Sequence, residues 1–166
     1  MGRSQKEGRP RNLIKAGISI SSAYNLKKSG IHFRQYLGGR LEKYLVSEAK
    51  KDIYGKNKEN KVFLDFLAAH KIDYETLMKS VTFRDVDDIL THKANNTKDA
   101  DEYYKVFSGQ AYMDYIRVPL LSLYSKQDPI CQYSCVDHTD TEKNENLINM
   151  TVGDGGHIEY PHGWSM

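Results

Sequence analysis

At 166 residues, 39% hydrophobic and 28% charged, the chain lies within the range of soluble globular proteins and is long enough for one domain with a sizeable core. Twenty-four basic against 22 acidic residues leave a formal charge of +2, too weak a positive field for a protein that gains affinity by releasing nucleic-acid counterions, so nucleic acid is not an expected partner. No stretch approaches the roughly 20 apolar residues that span a bilayer, and the N-terminus is charged and glycine-rich where a signal peptide needs an apolar segment. The chain reads as not secreted and cytoplasmic by default, with membrane association left to a segment N-terminal to it.

In chain order, the basic stretch "GRSQKEGRPRNLIK" at Gly2 to Lys15 reads as a solvated loop leading into a strand. "LIKAGISIS" from Leu13 is the first of three short apolar runs of strand length; "VPLLSLYS" from Val118 and "NLINMTV" from Asn146 are the others. The near-continuous apolar character of "VPLLS" is that of a strand covered on both faces, which favours a parallel sheet and an α/β class. Between the first two runs lie about ninety residues, far beyond a simple crossover, so this stretch needs structure of its own. Phe33, Tyr36, Leu37, Leu41, Tyr44, Leu45 and Ile53 recur at helical spacing, with a kink expected at Gly38-Gly39. "NKVFLDFLAAH", "DYETLMKSV" and "DADEYYKVF" read as further helices, with Asp73 as the N-cap of the second and Asp99 or Asp101 as that of the third. A helical insertion over residues 30–115 is thus expected within one α/β domain covering 1–166. The polar "VDHTDTEKNEN" reads as a loop or irregular helix before the last strand.

Two cysteines cannot make a disulfide framework. Cys131 and Cys135 with His138 nearby invite a metal reading, but a zinc site would need a fourth ligand, so no metal is expected and the two read as small, partly buried thiols.

Two strand exits carry groups able to do chemistry. "SLYSKQDPICQ" delivers Asp128 at the end of the second run, and "INMTVGDGGHIE" delivers His157 at the end of the third. Ligands of open α/β sheets bind outside the carboxyl ends of the strands, so both residues would share one edge. If those strands are neighbours, the carboxylate can fix the imidazole tautomer and stabilise its charged form. Gly155 and Gly156 suit a tight exit that leaves the ring approachable. Spacing alone leaves open whether His157 is catalytic or a surface histidine in a glycine turn. Asp154 competes with Asp128 as carboxylate but sits within the turn, and His32, His70, His92, His138 and His162 read as loop residues.

The order of strand, helical insertion, "YIRVPLLSLYSKQDPI" and "INMTVGDGGHIEY" resembles the C-terminal half of an α/β-hydrolase. Together with "LIKAGISISSAYNL" and "YETLMKSVTFRDVDDILTHKANNTKDADEYYKVFSGQAYMDYIRVPLL", these motifs look like the YheT and embryogenesis-associated family of esterases and lipases, from about Leu13 to His157. The resemblance implies about three parallel strands with flanking helices and a helical cap that covers an acyl pocket. It also implies hydrolysis of acyl esters of lipids or short alcohols without a cofactor, by a triad in chain order Ser, Asp, His, with Asp128 the orienting acid and His157 the general base. The family's serine stands in G-x-S-x-G upstream of the segment corresponding to "LIKAGISIS". Ser4, Ser19 and Ser108 do not fit that elbow: Ser4 lacks a preceding strand, the run around Ser19 continues as strand, and Ser108 lacks the preceding glycine and reads as a helix cap. A serine ester hydrolase is the first reading; a non-catalytic interaction module that keeps the hydrolase C-terminal half is the alternative. In either case three strands leave an unpaired sheet edge that invites a partner or self-association.

Overall fold

A computed structural model describes residues 14–160, with the side chains of 140 and 141 set aside. Ser4, His162 and all of the basic stretch except Ile14 and Lys15 lie outside the described residues. The described residues divide into two compact units, residues 14–32 with 105–160, and residues 33–104.

The first unit is built on a parallel sheet of three strands, β1 (Gly17–Ile20), β2 (Leu120–Ser125) and β3 (Leu147–Val152), in the order β1-β2-β3. Each forms within one of the three apolar runs. Gly17 stands opposite Leu120, which stands opposite Leu147, so all three carboxyl ends point to one edge. Side chains alternate across a strand, and register partners share a face. Leu120, Ser122 and Tyr124 are buried on one face, where Tyr124 packs with Tyr24, Val136, Met113 and Tyr133. The other face holds Ile18, Ile20, Leu121, Leu123, Ile148 and Met150. Ile18 is 69% exposed, Ile20 52%, Ile148 56% and Met150 52%. The expectation that β2 is covered on both faces is therefore corrected: among the described residues one face of the sheet is packed and the more apolar one faces solvent.

After β1 the chain enters a helix at Leu26–Gln35, started by the Asn25 side chain, which accepts from Lys28 N at 2.9 Å. Ser108, expected to cap a helix following it, instead accepts from Leu26 N at 3.0 Å and so serves this distant helix start. The expected kink falls at Tyr36–Gly39, where Leu37, Gly38 and Gly39 all have positive φ. Two adjacent glycines adopt that conformation without a Cβ penalty, and the chain re-enters helix at Arg40–Ala49.

The second unit has its own core of Val46, Tyr54, Leu67, Ile72, Leu77 and Val86, flanked by Phe63, Phe66 and Tyr74. Asn60 caps helix Lys61–Ala69, and Asp73 caps Tyr74–Met78 through Thr76 N at 2.7 Å. Of the two acids offered for helix Ala100–Phe107, Asp99 does the capping, through Glu102 N at 2.8 Å. Helix Phe83–Val86, with its capping box of Thr82 and Asp85, is not among those expected from the apolar spacing. Glu42 is buried here, accepting from Phe83 N at 3.0 Å with Arg34 Nε 3.9 Å away. Among the described residues no helix is long and apolar enough to cross a membrane.

Candidate active site

The site begins with two strand exits tied together. Beyond the last register pair, Ser125 with Val152, Lys126 N donates to Val152 O at 3.0 Å. Ser125, fully buried, donates its hydroxyl to Gly155 O at 2.6 Å and accepts from Gln127 N at 3.1 Å. The turn after β2 is thus locked onto the turn after β3.

Asp128 follows at once. Pro129 holds the preceding residue out of helical conformation, and the Asp128 carboxylate folds onto the amides beyond it. Its Oδ1 accepts from Ile130 N and Cys131 N, both at 2.8 Å, and the side chain is fully buried. A buried carboxylate needs such partners to offset the loss of water. Two amides fix the plane of the group and leave Oδ2 aimed outward.

Oδ2 lies 3.0 Å from His157 Nδ1, and Oδ1 lies 3.3 Å from it. A carboxylate can only accept here, so the ring carries a proton on Nδ1 and turns a lone pair outward on Nε2 when neutral. The His157 side chain is 33% exposed, which leaves that nitrogen reachable. Gly155, at φ 137°, makes the approach: a Cβ there would meet Glu159 O and the Tyr160 ring, each at 3.1 Å. Gly156 N closes the turn on Glu159 O at 2.8 Å. Tyr160 then reaches the carboxyl end of β1, where its hydroxyl and Ser21 Oγ are 2.6 Å apart.

The two residues singled out by strand spacing are therefore in contact. Asp154 is not part of the pair, since its carboxylate accepts from Gln127 Nε2 at 3.0 Å. Ser19 lies within β1. The loop reading is corrected for three histidines, since His32 lies within helix Leu26–Gln35 while His92 and His138 begin helices His92–Ala94 and His138–Glu142; the His70 and His92 rings contact Phe66 O and Thr97 O. The trio of Cys131, Cys135 and His138 is replaced by another: a carboxylate oxygen of Asp128, Sγ of Cys131 and a ring nitrogen of His157 lie within 4.8 Å of one another. Burial, with Asp128 and Cys135 adding to it, pushes the Cys131 thiol up to about 12. Sequence reasoning misses this neighbour, although "DPIC" places it on the amide that Asp128 binds.

No family model matches the chain, and no solved structure matches it. It is similar to abhydrolase domain-containing protein 2 of Drosophila melanogaster, 24% identical over 98% of this chain and 41% of the relative. It is also similar to monoacylglycerol lipase ABHD2 of Danio rerio, at 25% over 88% of the chain and 35% of the relative. Embryogenesis-associated protein EMB8 of Picea glauca is 22% identical over 91% of the chain and 32% of the relative. The parallel sheet with flanking helices is part of an α/β-hydrolase fold. These likenesses support an α/β-hydrolase family, and the chain spans less than half the length of these relatives.

Proposed function

We propose that this chain carries the acid and base of a serine hydrolase of carboxylic esters, with acyl esters of lipids as the substrate class. The observation that supports it is the Asp128–His157 hydrogen bond at the carboxyl edge of two adjacent parallel strands. Nε2 of His157 takes the proton of a serine hydroxyl as that oxygen attacks the ester carbonyl and returns it to the departing alkoxide, then takes a proton from the water that attacks the acyl-serine and returns it to the serine oxygen as the acid leaves. Asp128 holds the ring and stabilises the imidazolium. On this reading the serine, in a G-x-S-x-G turn, and the oxyanion donors, from the residue after it and from an earlier loop, belong to polypeptide outside these 166 residues. Residues 30–115 are the cap insertion of that fold.

The same polypeptide is the proposed cover for the exposed sheet face and for the outer edge of β1. A face of isoleucine, leucine and methionine is that of a buried layer, and the chain accounts for only 41% of the Drosophila melanogaster relative.

The test joins this chain to the sequence encoded upstream of Met1, then measures labelling by a fluorophosphonate and hydrolysis of p-nitrophenyl acyl esters. A G-x-S-x-G serine that labels, with turnover reduced on the order of 10³-fold or more by His157→Ala, is the expected result. Turnover that survives His157→Ala unchanged, or no labelling, would leave the non-catalytic module as the better reading.

A further inference from the structure

We propose that Asp128, Cys131 and His157 form a binding site for a zinc ion whose occupancy takes His157 out of service as a base. The three ligand atoms already lie within 4.8 Å of one another, and Asp128 and Cys131 are buried while His157 is partly open. Zinc takes mixed thiolate, imidazole and carboxylate sets in tetrahedral geometry, at roughly 2.0 to 2.3 Å from each donor. Three donors around an ion at those distances stand roughly 3.3 to 3.8 Å apart, so the trio needs to close by only about 1 Å. His157 Nδ1 is already 3.0 Å from Asp128 Oδ2, and the ring has room to shift toward Cys131, since it lies on a turn where a Cβ at neighbouring Gly156 would meet no heavy atom within 4 Å. Asp128 and Cys131 are held to each other by the Cys131 N to Oδ1 bond and present a fixed half of the site.

Binding exchanges bonds without redox change. Zinc forms coordinate bonds to Sγ, a carboxylate oxygen and a ring nitrogen, the Cys131 S–H proton passes to solvent, and the fourth position is taken by water. The His157–Asp128 hydrogen bond breaks as the ring nitrogen or the carboxylate turns to the metal. A hydrolase that uses this histidine would be reversibly inhibited, yet the site needs only the two strand exits and stands whether or not the ester reading holds.

The test is calorimetric titration of the 166-residue chain with zinc chloride, paired with absorption spectra of the cobalt(II) form. The expected result is one ion per chain and a sulfur-to-cobalt charge-transfer band. Both Cys131→Ser and His157→Gln should weaken binding at least about tenfold, and Cys131→Ser should abolish the band, while Cys135→Ser leaves both intact. His157→Gln changes a partly exposed side chain and keeps the reading secure if Cys131→Ser does not fold. Absence of stoichiometric binding, or binding equal to wild type in His157→Gln, overturns the site; loss on Cys135→Ser with Cys131→Ser unaffected assigns the ion elsewhere and overturns it equally. Esterase assays play no part in this outcome, so its failure and that of the proposed function are separable.

Discussion

The behaviour of Asp128 follows from its three hydrogen bonds. Asp128→Asn keeps an oxygen for the amides of Ile130 and Cys131 but turns an NH₂ toward His157, forcing the ring to accept on Nδ1 and to carry its proton on Nε2. Under the proposed function, in the chain joined to its upstream sequence, this should cost on the order of 10⁴-fold in turnover, with little change in melting temperature. Asp128→Ala strands two amides in a buried turn and should cost about 1 to 3 kcal/mol for each donor left without a partner. Equal stability losses in the two variants, read by denaturant melts, would contradict this division. Cys131 offers a second residue-scale check. A thiol raised from 9.0 to about 12 holds its proton through the neutral and mildly alkaline range. Alkylation requires thiolate, so Cys131 should react with iodoacetamide at pH 8 about 100-fold or more slowly than an exposed cysteine, and at the ordinary rate in denaturant. Peptide mass mapping of a timed reaction reads this directly.

At the scale of elements, the turn after β3 sets the distance between His157 and Asp128, and its two glycines are not equivalent. Gly155 has positive φ and a Cβ there would press on the Glu159 carbonyl and the Tyr160 ring, whereas a Cβ at Gly156 meets open space. Gly155→Ala should lower stability by about 1 to 3 kcal/mol and move His157 off Asp128, while Gly156→Ala should fall within about 1 kcal/mol of wild type. Thermal melts, with the His157 ring resonances as a reporter of the hydrogen bond, distinguish the two. Much of this turn is legible in the sequence. Apolar runs of strand length and the acid and histidine at their exits place Asp128 and His157 on one edge, because parallel strands put all their carboxyl ends there, but that β2 and β3 are neighbours comes from the structure. The unequal roles of the glycines are not legible, since φ is set by where Tyr160 must return to meet Ser21. Proximity in sequence groups Cys131 with Cys135 and His138, whereas the Asp128 turn points it to the imidazole. Helix Phe83–Val86 has a signal in the spacing of Thr82 and Asp85, but its apolar residues are too few to announce a period.

For the molecule as a whole, the decisive feature is which sheet face is covered. Alternation in "GISI" and "LINM" shows that Ile18 and Ile20 share one face of their strand, and Ile148 and Met150 one face of theirs, but not that Ser19, Ser122 and Asn149 face the packed side. That inversion has a cost. Four large apolar side chains more than half exposed on one flat surface, beside a β1 edge whose outer hydrogen-bonding groups have no strand partner among the described residues, should make the isolated chain associate. Sedimentation velocity at rising concentration should show oligomers, and the double variant Ile18→Lys with Ile148→Lys should shift the distribution toward monomer, because those side chains are register-aligned through Leu121 and already meet water. The substitutions remove no packed core, so the cooperative melt should persist. Supplying the polypeptide proposed to carry a G-x-S-x-G serine should suppress association of the unsubstituted chain and fail to rescue the double variant, since lysines on a buried layer block its cover. A wild-type chain that stays monomeric at every concentration would show that this face needs no cover, and would remove the main structural reason for expecting a second part of the fold to dock there.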